Sequence, residues 1–204
     1  MNNKMSLSIL AGLLIGIGGF ANLQIGGKIG ALCFSIGLIS IVMYDANLFT
    51  GKIGYMFTVY RKLSISYRIK IYLKMLLGNL IGAALFGLFT SFIVKDKASL
   101  LVINKLKASI IPDMFIRSII CGMLVYLGIS LYNISINKQN FSLGIVLLAF
   151  SVFIFVLAQG EHCIANMYYI TASRLYTSGF AFVMLFINIL GNSIGAVLMA
   201  VLHR

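Results

Sequence analysis

The chain has 204 residues, 61% of them hydrophobic and only 10% charged, with a mean hydropathy of +1.04. Soluble domains sit near about 25% charged and about 45–50% apolar residues, so this composition is that of an integral membrane protein and excludes a separate soluble domain. The formal net charge is +12, but the basic residues collect between apolar runs, which argues against nucleic acid and suits lipid headgroups and anionic solutes.

The first apolar run, Leu7 to Leu23, follows a short polar start at Met1–Asn3 and Lys4. No small-residue cleavage site follows it, so it reads as a retained helix rather than a signal peptide. Gly12, Gly16 and Gly19 fall roughly on one face and suit close helix packing. A second apolar segment runs from Ile29 to about Tyr60. Wholly helical, it would span ~48 Å, against a hydrocarbon core of ~30 Å. It also holds Asp45-Ala46-Asn47-Leu48-Phe49-Thr50-Gly51, so the spacing predicts a broken helix, because irregular backbone is tolerated at depth where it lines a cavity.

Arg61 to Lys74 carries five basic residues and no acid, which the positive-inside rule places in the cytoplasm. A third helix is expected from about Leu73 to Val94, then a polar connection from Lys95 to Asp113 on the outer side. The fourth helix is expected from about Phe115 to Ile134. The fifth segment, Phe141 to about Ala172, is again too long, and polar at its middle. The sixth runs from Ser178 to Leu202. Six segments make a multi-pass protein of the cell membrane, with both termini cytoplasmic. The three cysteines, Cys33, Cys121 and Cys163, each lie in an apolar run and form no disulfide framework.

The polar knot in the fifth segment is Gly160-Glu161-His162-Cys163-Ile164-Ala165-Asn166-Met167. Glu, His and Asn are expensive at the middle of a membrane and mark a transport or proton path by default. The plainer alternative is a buried His that ties two helices together by hydrogen bonds. An internal repeat supports a path. Gly78-Asn79-Leu80-Ile81-Gly82-Ala83 recurs 113 residues later as Gly191-Asn192-Ser193-Ile194-Gly195-Ala196, and the same offset carries Thr50 onto Cys163. Ala11-Gly12-Leu13-Leu14 answers Cys121-Gly122-Met123-Leu124 at an offset of 110. The chain thus reads as a single transmembrane domain over 1–204, with halves at about 5–94 and 114–202. Three segments per half require the halves to insert with opposite orientation, and such inverted repeats place their site near the midplane, where the broken helices meet.

Leu48-Phe49-Thr50-Gly51, Glu161-His162-Cys163-Ile164-Ala165-Asn166-Met167 and the Gly191-Asn192 pair resemble the formate/nitrite transporter family over nearly the whole chain. The resemblance implies an aquaporin-like all-α fold of six transmembrane segments with the second and fifth broken. It implies a homopentamer with one pore per protomer, and passage of small monovalent anions or their conjugate acids. Thr50 would face His162 across the pore, with Glu161 and Asn166 beside it. Apolar constrictions would fall on Phe34, Leu38 and Phe155 on one side of the His, and on Leu48 and Val125 on the other. The chain departs from the family pattern at Gly122, where Asn is usual, at Asp45 and Asn47, where Gly and Glu are usual, and at Lys52, where Asn is common. Asn47 is a candidate partner for Glu161, whose carboxylate needs one if buried.

A bare anion is costly to bring through a dry constriction. Lys105 and Lys107 are the candidates to concentrate anions at a vestibule. His162 suits a proton transfer or a charge-assisted hydrogen bond, since an unperturbed imidazole titrates near pH ~6.5. The partners expected are therefore small anions such as formate, nitrite or hydrosulfide, together with protons and membrane lipid. A neutral-solute channel of the water or ammonia kind is the alternative. A membrane enzyme is less favoured, because the adjacent Glu161, His162 and Cys163 point in different directions. With four acidic residues and two His in all, metal-ligand clusters are scarce, and no cofactor or metal is expected.

Overall fold

A computed structural model describes residues 4–108 and 111–203. In chain order the helices are α1 (Met5–Ile25), α2 (Gly27–Cys33), α3 (Ser35–Met43), α4 (Phe49–Lys52), a 3-10 turn (Ile53–Met56), α5 (Ile65–Ala108), α6 (Ile111–Asn137), α7 (Phe141–Leu157), α8 (Cys163–Ala172) and α9 (Gly179–Leu202). Four of them, α1, α5, α6 and α9, are long and apolar enough to cross a membrane, and the apolar stretches Gly27–Met43 and Phe141–Leu157 are shorter. The architecture is all-α, with six apolar membrane-length segments, two of them broken. Large apolar side chains such as Phe89, Phe92, Phe182 and Phe186 are exposed on the outside, as suits a chain surrounded by lipid.

Both long segments break in the same way. At the end of α3, Asp45 takes φ 46°, and at the end of α7, Gln159 takes φ 54°. In each case the next amide reaches back five residues, Ala46 N–H to the Ile41 carbonyl (2.9 Å) and Gly160 N–H to the Phe155 carbonyl (2.7 Å). This is a Schellman ending, which satisfies the last carbonyls and turns the chain out of its helix. The short helices α4 and α8 then restart after extended Leu48 and His162.

Each break hangs from one asparagine. Asn79 on α5 accepts from Phe49 N–H (2.7 Å) and donates to the Asn47 and Ser8 carbonyls (2.7 Å each). Asn192 on α9 accepts from Cys163 N–H (2.8 Å) and donates to the Glu161 (2.8 Å) and Ser118 (2.7 Å) carbonyls. Both asparagines are fully buried. The repeated Gly-Asn pair therefore does one job twice: its side chain supplies one acceptor and one donor to backbone that a broken helix leaves unpaired, and uses its second donor to tie the break to a carbonyl of an unbroken neighbouring helix. Within the breaks the equivalence is Phe49 with Cys163 and Thr50 with Ile164, an offset of 114, one residue more than the sequence alignment of Thr50 on Cys163 gave.

Gly122 is explained by packing. A Cβ there would stand 2.7 Å from the Asn192 Cα and closer still to its carbonyl oxygen. Gly12 meets the Asn79 backbone in the same way. Helices α6 and α9 pass too closely at this level for any side chain, so this backbone leaves no room for an Asn at 122.

The largest correction concerns α5. Helix continues through the stretch read as a polar connection and reaches Ala108, and it begins at Ile65 rather than Leu73. Residues 109 and 110 of that expected connection lie outside the described residues. At 44 residues α5 is ~66 Å long, twice a hydrocarbon core. Its last turns keep a buried stripe at Val94, Ala98 and Val102, each at most 1% exposed. They lie against the rest of the molecule, with Ser99 bonded to the Ser173 carbonyl (3.2 Å) and Lys97 to the Gln24 side chain (2.8 Å).

Candidate functional site

The two breaks bring Thr50 and His162 together, Oγ1 to Nε2, at 2.9 Å. Both are buried, at 0% and 2% exposure. His162 is the N-cap of α8, and its Nδ1 accepts from Ala165 N–H (3.2 Å). A neutral imidazole with Nδ1 accepting carries its hydrogen on Nε2. Thr50 therefore accepts from His162, and its own hydroxyl hydrogen is left for a further acceptor. Two hydrogen-bond donors meet at one point, supplied by opposite halves of the chain.

An aromatic series leads away from this point. The Phe155 ring stacks on His162 (centroids 5.9 Å apart, planes at 24°), and Phe34 meets Phe155 edge-on (5.6 Å, 83°). Leu38, Leu48 and Val125 are each at most 2% exposed and belong to the same apolar cluster as the two Phe rings. Leu48 directly precedes α4, and Val125 lies on α6.

On the Phe side lies a cavity of about 460 Å³, whose lining includes Phe34, Phe155, His162, Glu161, Asn166 and Lys105. Lys105 Nζ donates to both Glu161 oxygens at 2.8 Å. The two side chains are 16% and 4% exposed, so this ion pair is largely out of water. Lys105 is thus not a loop charge but a residue of α5 that reaches the second break. Lys107, two residues on, is exposed and does not line the cavity.

Glu161 is further held by Asn166, whose amide donates to Oε2 (2.6 Å) and to Asn188 Oδ1 (2.6 Å). Asn188 in turn donates to Ser118 Oγ (3.0 Å). This corrects the expected Asn47 partner. Asn47 lies at the other break, where Lys52 Nζ donates to its Oδ1 (2.9 Å). The polar support near Glu161 comes from Asn188 and Ser118, not from position 122. Asn188 has a sequence signal, a polar residue one helical turn before Asn192 in an apolar run, but nothing in the sequence ties it to Asn166. The side chains of Glu161 and His162 go to different partners, and Cys163 is fully buried, so the three do not converge on a reacting atom.

Three comparisons bear on this arrangement. The model of the formate/nitrite transporter family matches residues 1–204. An uncharacterized transporter, YwcJ of Bacillus subtilis (strain 168), is 30% identical over 180 residues, covering 78% of this chain and 69% of its own. Among solved structures, a pentameric formate channel with formate bound shares the fold at a TM-score of 0.77 and 20% identity, over 98% of this chain and 92% of that one. An ion channel of the same family gives 0.80 at 20% identity, over 98% and 86%.

Proposed function

Because this chain belongs to the formate/nitrite transporter family, a family of small-anion channels and not of enzymes, we propose that it passes the anions of small weak acids, of the formate, nitrite or hydrosulfide type, through a pore within each protomer. The route runs from the Lys105 cavity past Phe34, Leu38 and Phe155, across the His162–Thr50 contact, and out between Leu48 and Val125. Five chains assemble around a central axis, as in the similar formate channel described as pentameric. The basic Arg61–Lys74 stretch supports cytoplasmic termini, an orientation in which the Lys105 cavity opens on the outer face.

The observation that carries this reading is the paired donors. Stripping water from an anion leaves acceptor oxygens that apolar rings cannot satisfy. At this contact the path offers the Thr50 hydroxyl hydrogen directly, and the Nε2–H of His162 once it turns from Thr50 to the anion, with no carboxylate between them. Lys105 neutralises the Glu161 carboxylate that would otherwise repel an anion at the mouth, and Lys107 adds a screened, more distant positive charge. Glu161 and Asn166 hold the loop that aims the imidazole. The bonding of Nδ1 favours hydrogen-bond donation by a neutral His162 over donation of a proton from the ring. A proton that neutralises the anion then arrives from the cavity solvent, and the resulting acid crosses the next apolar ring at lower cost.

The test is flux into proteoliposomes holding a pH indicator, with formate, nitrite, hydrosulfide and lactate at two external pH values. His162→Asn keeps a donor and is expected to retain part of the anion flux, whereas His162→Leu abolishes it. Water or ammonia passing with no anion flux in the wild type would overturn the proposal and establish a neutral-solute channel.

A further inference from the structure

The two breaks share a backbone but not a charge. At the second, the acceptor before the restart is the carboxylate of Glu161, and the donor from the first turn of α8 is the neutral amide of Asn166, 2.6 Å away. At the first, the equivalent acceptor is the neutral amide of Asn47, and the donor from α4 is the ammonium of Lys52, 2.9 Å away. The charged member has moved from acceptor to donor, and its sign has reversed.

The two lysines bonded to the breaks consequently differ. Lys105 is neutralised by Glu161 in a pair that is mostly out of water. Lys52 has Asn47, which carries no charge, and Asp45 Oδ1 at a long 3.4 Å. Asp45 is 84% exposed while Lys52 is 19% exposed, so water competes strongly for the carboxylate and the pair is weak. An ammonium has three N–H donors, and the third on Lys52 has no partner among the described residues. At the 114-residue offset Lys52 occupies the position of Asn166, which lines the cavity at the second break.

We propose that Lys52 is a second anion-holding group, which loads the path from the Leu48–Val125 side, with Asp45 as a competing acceptor that keeps the anion from being held too tightly. A conducting path needs binding strong enough to admit an ion and weak enough to release it, and an ammonium opposed by a loosely placed carboxylate meets both demands. With Lys105 internally matched, Lys52 is the less compensated of the two charges. This inference rests on the anion-channel reading.

The experiment is the concentration dependence of formate flux for wild type, Lys52→Gln, Lys52→Arg and Asp45→Asn, each checked for folding by thermal unfolding in detergent. Lys52→Gln is expected to raise KM roughly fivefold, the loss of one partly exposed charge contact, and Lys52→Arg to restore it. Asp45→Asn is expected to lower KM, in the opposite direction. If Lys52 serves only to fasten the loop, Lys52→Gln and Asp45→Asn both lower the unfolding temperature and leave KM unchanged, which overturns the proposal. Should Lys52→Gln fail to fold, Asp45→Asn alone decides: an unchanged or higher KM overturns the inference. Wild-type flux that needs His162 but is indifferent to both positions overturns this inference alone, whereas no anion flux in the wild type overturns both readings together.

Discussion

Replacing Asn192 by Ala removes three buried hydrogen bonds of 2.7–2.8 Å. The Ser118 carbonyl lies inside α6 and keeps its helical partner. The Cys163 amide opens α8 and the Glu161 carbonyl lies in the break, so neither has helix to fall back on. An orphaned buried group costs about 1–3 kcal/mol, so two give roughly 4 kcal/mol, or a fall in midpoint on the order of 10 °C for a chain of this length. His162 is one residue from the lost anchor, so selectivity should fall along with stability. Thermal unfolding in detergent and anion flux, measured on the same preparation, check both. Asn192→Asp is the informative control: it keeps the acceptor for Cys163 N–H but turns a carboxylate toward two carbonyls, and should be no better than Ala. Wild-type unfolding and flux in Asn192→Ala would refute the idea that this side chain holds the break.

Asn79→Ala, which strips the matching bonds from Phe49 and Asn47, should cost a similar amount in the same unfolding assay. Gly122→Ala forces a methyl group into the Asn192 backbone and should cost about 1–3 kcal/mol by overpacking; Gly122→Asn should be worse, despite restoring the residue usual in the family. Lys105→Met leaves Glu161 buried with only an amide partner and should cost about 3 kcal/mol. Adding Glu161→Gln should recover most of that loss, which a double-mutant cycle on unfolding free energies measures. Lys107→Ala, at an exposed position, should leave stability unchanged and lower flux only at low ionic strength.

Much of this was readable because the membrane imposes strong rules. Segments too long to span, each with polar residues at the middle, announced the breaks, and the repeated Gly-Asn pair announced that the halves were alike. The repeat brought Leu48–Thr50 and Glu161–Cys163 to one level, and the family resemblance singled out Thr50 and His162 among them. The course of α5 was hidden by the same rules. A membrane-length reading stops at Val94 because Lys95, Asp96 and Lys97 follow, yet Val94, Ala98 and Val102 keep the helical period and mark a buried face. The partner of Glu161 was hidden for a related reason, since Lys105 lies 56 residues away on an element taken to be a loop. Lys52 was visible as a departure from the family pattern, but its meaning emerged only when its bond to Asn47 was set beside that of Asn166 to Glu161.

The two asparagine anchors also have a mechanical consequence. Thr50 is carried by one half of the chain and His162 by the other, each on a short helix anchored to a long one by an asparagine, while Lys105 ties the second break back to α5. Motion of both halves together leaves the contact between them unchanged. A slide of one half against the other would strain the Lys105–Glu161 pair as well as this contact, and about an ångström of separation along the 2.9 Å bond would carry it past hydrogen-bonding distance. The Thr50–His162 contact is thus a differential gauge, blind to shared movement and sensitive to relative movement of the halves.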